Sequence, residues 1–149
     1  MTMPNDFAST PVSATIEQLR YWVPTIKDVA RVIESDDTGN GWTLNIVPKV
    51  ASACPVAITL RESGRFDIVI AGEGYADRGF GSLDQIVALL ERIADGRVVQ
   101  RRWVSRATGA ATGVETMVAL GDGLVWRNGP EPDGASERRD RHFLPYRRI

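Results

Sequence analysis

Hydrophobic residues recur at helical spacing in two segments of the chain. The first runs from Thr15 to about Glu34, with apolar residues at alternating steps of three and four: Ile16, Leu19, Val23, Ile26, Ala30 and Ile33. This spacing places them on one side and predicts an amphipathic helix. Thr15 and Gln18 fit a capping box at its start. Pro24 predicts either a kink or a second helix with this proline in its first turn.

The second helical segment extends from Leu83 to about Ala94. Its apolar face is predicted to carry Leu83, Ile86, Val87, Leu90 and Ile93. Gly96 tolerates the left-handed conformation that commonly ends a helix, so we expect the helix to stop there.

Apolar and polar residues alternate with a period of two in several other segments, as in half-buried strands. The first three segments cover residues 42–47, 56–61 and 66–71, and three more cover 98–105, 114–120 and 124–127. A short polar link, Glu62 to Arg65, predicts an antiparallel hairpin between the second and third strands. Asp122 and Gly123 are a strong hairpin signal between the last two.

The element order α-βββ-α-βββ predicts an α+β fold in two layers. We expect a mostly antiparallel sheet of about six strands with two helices on one face. The predicted organisation is a disordered segment 1–13, a single α+β domain 14–127, and a loop with a basic C-terminal tail over 128–149. For residues 137–149 a short helix, a final edge strand and disorder remain alternatives.

The composition is that of a globular protein, with 149 residues, 43% of them hydrophobic, and a net charge of −1. Residues 1–96 carry 8 Lys/Arg against 13 Asp/Glu, whereas residues 97–149 carry 10 Arg against 6 Asp/Glu. This asymmetry suits attraction of nucleic acid or of a second copy, but mixing of both charges over one surface is the simpler interpretation. With one cysteine, no secretion pattern and no membrane-spanning apolar run, we expect a cytoplasmic protein.

The glycine-rich stretch AGEGYADRGFGSLD, from Ala71 to Asp84, raises the question of a phosphate-binding loop. A dinucleotide fingerprint requires a third glycine where Asp77 stands, and a P-loop requires a lysine before Ser82. Glu73 and Asp77 would also repel a phosphate. We therefore expect a structural bend, with Tyr75–Arg78 extending a strand and Ser82–Gln85 capping the second helix.

Metal and catalytic motifs are incomplete. DDTGNG, from Asp36 to Gly41, resembles the start of a calcium loop, but Val47 stands where the bidentate Glu is needed, so a helix-to-strand turn is expected. Glu73, Asp77 and Asp84 form a weak candidate Mg²⁺ site. A Cys54–His142 dyad would require the tail to fold back onto the Cys54–Pro55 loop, and Cys54 is expected to be a buried apolar residue. No cofactor and no metal are expected.

The segment from Gly96 to Gly113 is the most unusual one. Neither face of its predicted strand is cleanly apolar, so arginines must lie beside core residues. One interpretation is an anion or nucleic-acid surface in which Arg101, Arg102 and Arg106 meet phosphates and Trp103 stacks on bases. The other is an outer strand whose arginines pair with acids from the front half of the chain and discourage edge-to-edge aggregation.

The basic tail carries aromatic residues between its arginines, a composition typical of nucleic-acid contact. The first three arginines of the tail are Arg138, Arg139 and Arg141. Arginine outnumbers lysine 16 to 2 over the whole chain, which weakens this signal. Docking of the tail onto its own domain or onto a second subunit is the favoured alternative.

These patterns predict a small, non-catalytic binding or accessory protein that acts through a protein–protein interface, with another protein or with a second copy in a homodimer, and without membrane contact. The alternative is a nucleic-acid or polyanion-binding module that uses the candidate binding residues Arg101, Arg102, Trp103, Arg106, Arg138, Arg139 and Arg141. A weaker alternative is an enzyme whose carboxylates meet only in the folded chain.

Overall fold

The computed structural model describes residues 11–37, 41–61, 63–78, 85–129 and 136–147. The fold is mixed α+β, with two antiparallel sheets and two α-helices. In chain order the elements are α1 (Pro11–Trp22), a 3₁₀ helix (Val23–Thr25), β1 (Ala30–Asp37), β2 (Gly41–Pro48), β3 (Val56–Leu60), β4 (Phe66–Ile70), β5 (Glu73–Arg78), α2 (Gln85–Ala94), β6 (Val98–Ser105), β7 (Ala111–Gly121), β8 (Leu124–Asn128) and β9 (Ser136–His142).

The first sheet is a meander of five strands in the order β1-β2-β3-β4-β5. The predicted alternation in β2, β3 and β4 is confirmed, and β3 and β4 form the expected antiparallel hairpin. One face of these strands carries side chains that are at most 3% exposed: Trp42, Leu44, Ile46, Val56, Ile58, Leu60, Phe66, Ile68 and Ile70. The sheet therefore buries one face, as a half-buried antiparallel sheet does.

The first helix was predicted too long, since α1 ends at Trp22; the alternative of a second helix with Pro24 in its first turn holds only for the short 3₁₀ helix Val23–Thr25. Pro24 lies in a 3₁₀ turn, and β1 begins at Ala30 and pairs antiparallel with β2. Thr15 is a buried residue within α1, so it does not cap the helix. Asp37 at the end of β1 pairs with Gly41 at the start of β2. The segment predicted as a helix-to-strand turn therefore connects two strands. Residues 38–40 of the calcium-like segment lie outside the described residues.

The second helix and the strands that follow it are confirmed. Gly96 has a φ of +79° directly after α2, as expected for a left-handed cap. Asp122 and Gly123 both have positive φ, which is the conformation of a tight hairpin turn between β7 and β8. Leu83, Ser82 and Asp84, which were expected at the start of the helix, lie outside the described residues.

The expectation of one sheet of about six strands was wrong. The last four strands form a separate sheet in the order β8-β7-β6-β9. Of the alternatives for the C-terminal segment, the structure has the edge strand, because β9 pairs antiparallel with β6. Of the segment 1–13, which was predicted to be disordered, residues 1–10 lie outside the described part of the chain and residues 11–13 belong to α1.

Side chains from both helices and both sheets form one hydrophobic core. Leu19 of α1, Ile86 and Leu90 of α2, and Val118 of β7 are fully buried in the same cluster as the inner face of the first sheet. Helix α2 contacts both β7 and α1. This helix therefore packs against both the second sheet and α1.

Candidate functional site

The structure places six of the seven candidate binding residues on two neighbouring strands. Strand β6 carries Arg101, Arg102 and Trp103, and β9 carries Arg138, Arg139 and Arg141. In the antiparallel register, Arg102 lies opposite Arg139 and Trp103 opposite Arg138. Directly opposed residues project to the same side of a sheet, so the two strands present arginines on both of their faces. Arg106 follows β6 in an exposed turn.

On one face, Arg101 is engaged within the protein. Its guanidinium donates two hydrogen bonds to Asp140, from Nε to Oδ1 at 2.9 Å and from Nη2 to Oδ2 at 3.2 Å. The hydrogen bonds hold the pKa of Asp140 below its usual value and raise that of Arg101. Two expectations need correction: that β6 is an outer strand, and that its arginines pair with acids from the front half of the chain. Strand β6 lies between β7 and β9, not at the sheet edge, and the acid that pairs with Arg101 comes from the back third of the chain.

Trp103 lies on the same face and is not free to stack. The Arg101 guanidinium carbon sits over the indole ring, 5.9 Å from its centroid, in the geometry of a cation–π contact. The indole N–H is buried and has no hydrogen-bond partner within the described structure. A nucleic-acid base could stack on this ring face only by displacing Arg101, so the predicted stacking platform is occupied.

The opposite face carries Arg102, Arg139 and Arg141, which we call the arginine face. All three side chains are exposed. Arg141 lies over the ring of Phe143, with 4.6 Å from its guanidinium carbon to the ring centroid. Within the described residues, none of the three forms an ion pair. Like charges opposed across two strands are destabilising, so the Arg102–Arg139 pair opposes folding and has no counterion in the described protein.

The Asp140–Arg101 contact predicts a pH-dependent contribution to stability. A carboxylate whose pKa is lowered by folding stabilises the protein above its unfolded pKa, and this contribution is lost as the pH falls through the lower folded value. We expect Asp140→Asn to be less stable than the parent protein at pH 7. The difference should begin to shrink as the pH falls below about 3.9, the ordinary pKa of an unfolded aspartate, and should continue to shrink toward the lower folded pKa of Asp140. Urea unfolding of both proteins between pH 7 and pH 3 measures it, and a constant difference would contradict the assignment.

A buried polar network joins the two sheets, and sequence reasoning missed it. The Gln100 side-chain amide donates to the Ile70 carbonyl oxygen at 2.7 Å and lies 3.3 Å from the Thr116 hydroxyl. That hydroxyl is 2.6 Å from the Tyr75 hydroxyl. Buried polar groups need such partners. Gln100 lies between Val98 and Val104 on the side of β6 that faces the core, but the exposed Arg102 on that same side hid the pattern in the sequence.

The glycine-rich stretch begins with a turn between two antiparallel strands. Ala71 and Gly72 both have positive φ and connect β4 to β5. Tyr75–Arg78 lies within β5, as expected. The phosphate-binding motifs require a strand followed directly by a helix, whereas a hairpin follows here. Residues 79–84, and with them part of the weak Mg²⁺ candidate, lie outside the described residues.

Two open surface pockets occur in the described structure. One, of about 540 Å³, lies between β5 and the second sheet and is lined by Glu73, Gly74, Tyr75, Arg78, Val114, Arg127, Asn128 and Gly129. The other, of about 250 Å³, lies between the end of α1 and the first sheet. In it, Glu34 accepts hydrogen bonds from the Trp42 indole at 2.8 Å and from Arg20 at 2.6 Å. These contacts hold the pKa of Glu34 below its usual value.

Cys54 is buried and poorly suited to nucleophilic chemistry. Burial raises the pKa of its thiol to about 12, whereas a nucleophilic cysteine needs a thiolate near neutral pH. The chain does fold back here, since Leu144 donates to the Ser52 carbonyl and the Tyr146 hydroxyl donates to the Cys54 carbonyl. His142, however, is exposed. Among the described residues, no three metal-ligating side chains cluster.

Comparison with protein-family models, with curated proteins and with solved structures gave no match. None of the helices in the described ranges is both long enough and apolar enough to cross a bilayer.

Proposed function

We propose that this chain is a small cytoplasmic binding protein without catalytic activity that acts through a protein–protein interface. We assign the interface to the surface formed by β6 and β9. Its arginine face would contact the carboxylates of an acidic protein. The homodimer expected from the sequence is compatible with this proposal.

The opposed pair Arg102–Arg139 carries the proposal. Both side chains are exposed, lie on the same side of two hydrogen-bonded strands, and have no ion pair among the described residues. Carboxylates of a partner would remove their mutual repulsion and form charge-assisted hydrogen bonds with them. Arg141, two residues along β9, projects to the same side and extends the surface.

The distribution of charge favours a protein over a nucleic acid. Strand β9 also carries Glu137 and Asp140, both exposed. Asp140 is already paired with Arg101 on the other face, but Glu137 projects to the same side as Arg139. A nucleic-acid strand would lay an extended row of phosphates across Glu137, whereas flexible carboxylate side chains can be placed singly opposite Arg102 and Arg139. The contact between Arg101 and Trp103 further opposes base stacking. Nucleic-acid binding therefore remains the alternative with less support.

The proposal predicts that the protein binds immobilised poly-L-glutamate, and that the double substitution Arg102→Ala with Arg139→Ala weakens this binding about tenfold. A matched control removes two exposed cations elsewhere, Lys27 and Arg31. Biolayer interferometry measures the binding of both double variants. The assay uses about 0.1 M salt, at which surface charges still interact over roughly 10 Å. Equal losses in the two double variants, or no binding by the parent protein, would contradict the proposal.

Single-stranded DNA serves as the competing probe in the same assay. We expect weaker binding to DNA than to poly-L-glutamate at equal ionic strength. Stronger binding to DNA, lost on substitution of Arg102 and Arg139, would instead support the polyanion-binding alternative, because phosphate contacts release counterions and give a steep salt dependence.

A further inference from the structure

Among the strands that the structure describes, β9 has one free edge. It is the last strand of the second sheet, and within the described residues only β6 pairs with it. Residues 137–142 are all exposed. An edge strand of this kind offers unpaired backbone N–H and C=O groups to another chain. Charged residues usually protect such an edge, but a strand that carries both signs of charge still accepts a partner strand whose charges are complementary.

We infer that a second copy of this chain occupies this edge, and that the β9 strands of two copies pair antiparallel about a two-fold axis. This inference rests on the proposed function of binding through the β6–β9 surface. It would join the two second sheets into one sheet of eight strands. A symmetric pair of this type uses the same surface on both subunits.

Geometry restricts the register of such a pair. Side chains alternate between the two faces of a strand, and residues opposite each other must project to the same face. The two-fold axis must therefore pass beside one residue, which faces its own copy. An axis beside Arg139 is the choice that overlaps all seven residues of β9, from Ser136 to His142.

The charges of β9 agree with this register. With the axis at Arg139, Glu137 faces the partner's Arg141 and Arg138 faces the partner's Asp140. Each contact occurs twice, which gives four opposite-charge pairs. An axis at Asp140 would instead place Asp140 against itself and Arg139 against the partner's Arg141. An axis at Arg138 would place Arg138 against its own copy. The opposite-charge pairs would then be limited to those between Glu137 and the partner's Arg139.

One contact in this register is unfavourable, and it connects the dimer to the proposed function. Arg139 faces its own copy, and Arg102 lies opposite each Arg139 within its own subunit. The dimer thus contains a row of four guanidinium groups on the arginine face. An acidic partner bound along this row would neutralise it and stabilise the dimer by mass action.

Charge-exchange variants test the inference by sedimentation velocity over a range of concentrations. Glu137→Arg alone and Arg141→Glu alone each turn two attractive contacts into repulsive ones, and each should weaken the dimer about tenfold. The double variant should restore the parent affinity. Arg139→Thr removes the single like-charge contact and should strengthen the dimer about threefold. A strict monomer at millimolar concentration, or failure of the double variant to restore a dimer, would overturn the inference.

Disulfide trapping tests the register independently. Directly opposed residues lie about 4.5–5.5 Å apart between Cα atoms, within the range that a disulfide spans. Arg139→Cys should therefore form a covalent dimer under mild oxidation. Arg141→Cys should not, since it lies four residues from its own copy in this register. Cys54 is buried and does not interfere. Equal trapping of both variants would overturn the register.

The two proposals fail in different ways. Sedimentation uses the free protein with no acidic probe, whereas poly-L-glutamate binding is measured on immobilised ligand and does not require a dimer. Loss of the dimer with retained poly-L-glutamate binding would refute only self-pairing. If the dimer affinity changes with charge exchange as expected but the protein does not bind poly-L-glutamate, only the acidic-partner assignment is refuted.

Discussion

Gly96→Ala is expected to lower the free energy of unfolding by about 3 kcal/mol, because the substitution combines two costs. Gly96 has a φ of +79°, a conformation that costs alanine about 1 kcal/mol or more. A Cβ atom at Gly96 would also lie 2.7 Å from the Pro145 nitrogen and 2.9 Å from the Phe143 carbonyl oxygen. Backbone at such a distance must move. Urea unfolding followed by circular dichroism measures the change.

Gly64→Ala is the matched control. Gly64 also has a positive φ, +87°, but a Cβ atom there would meet nothing within 4 Å. Only the conformational cost of about 1 kcal/mol should therefore appear. If the two variants are destabilised equally, residues 143–145 do not pack against the end of α2 as closely as the structure has them.

Leu89→Ala is expected to destabilise the protein by about 2–5 kcal/mol, the usual cost of removing a buried leucine side chain and leaving a cavity. Leu89 is fully buried although the helical spacing assigned the apolar face of α2 without it. It is buried because α2 has neighbours on more than one side, with β7 and α1 both in contact with the helix. Urea unfolding reports the difference.

Val87→Ala serves as the control on the same helix. Val87 was predicted to lie on the apolar face, but it is only partly buried. Its truncation should cost about 1 kcal/mol or less, since less apolar surface is returned to water. A larger loss for Val87→Ala than for Leu89→Ala would show that α2 is rotated about its axis relative to the structure.

The sequence pattern predicted β2, β3 and β4 because each keeps a strict alternation on one buried face. It failed for β1 because a charged residue interrupts the alternation. Ala30 and Val32 face inward, and Glu34 lies on the same face, where it is satisfied by Trp42 and Arg20. A partnered carboxylate at an inward position removes the period-two signal. Ile33 is exposed on the other face of β1. Its position three residues after Ala30 matched the helical spacing and extended the predicted helix into this strand.

The division into two sheets could not be derived from local patterns, since a strand does not encode which neighbour it pairs with. β9 pairs with β6 and not with β8, the strand before it in the chain. The arginines of the candidate site were recognised individually. Their separation into an engaged face with Arg101 and an exposed face with Arg102 and Arg139 depends on this long-range pairing, as does the contact with Asp140.

Residues 143–147 contact three distant parts of the chain. Leu144 binds the Ser52 carbonyl, Tyr146 binds the Ala94 carbonyl through its backbone N–H, and Arg147 forms an ion pair with Asp28. During synthesis, the parts of the earlier elements that this segment contacts stay exposed to solvent until residues 143–147 have left the ribosome. The earlier elements therefore complete their packing only after residues 143–147 have been added to the chain.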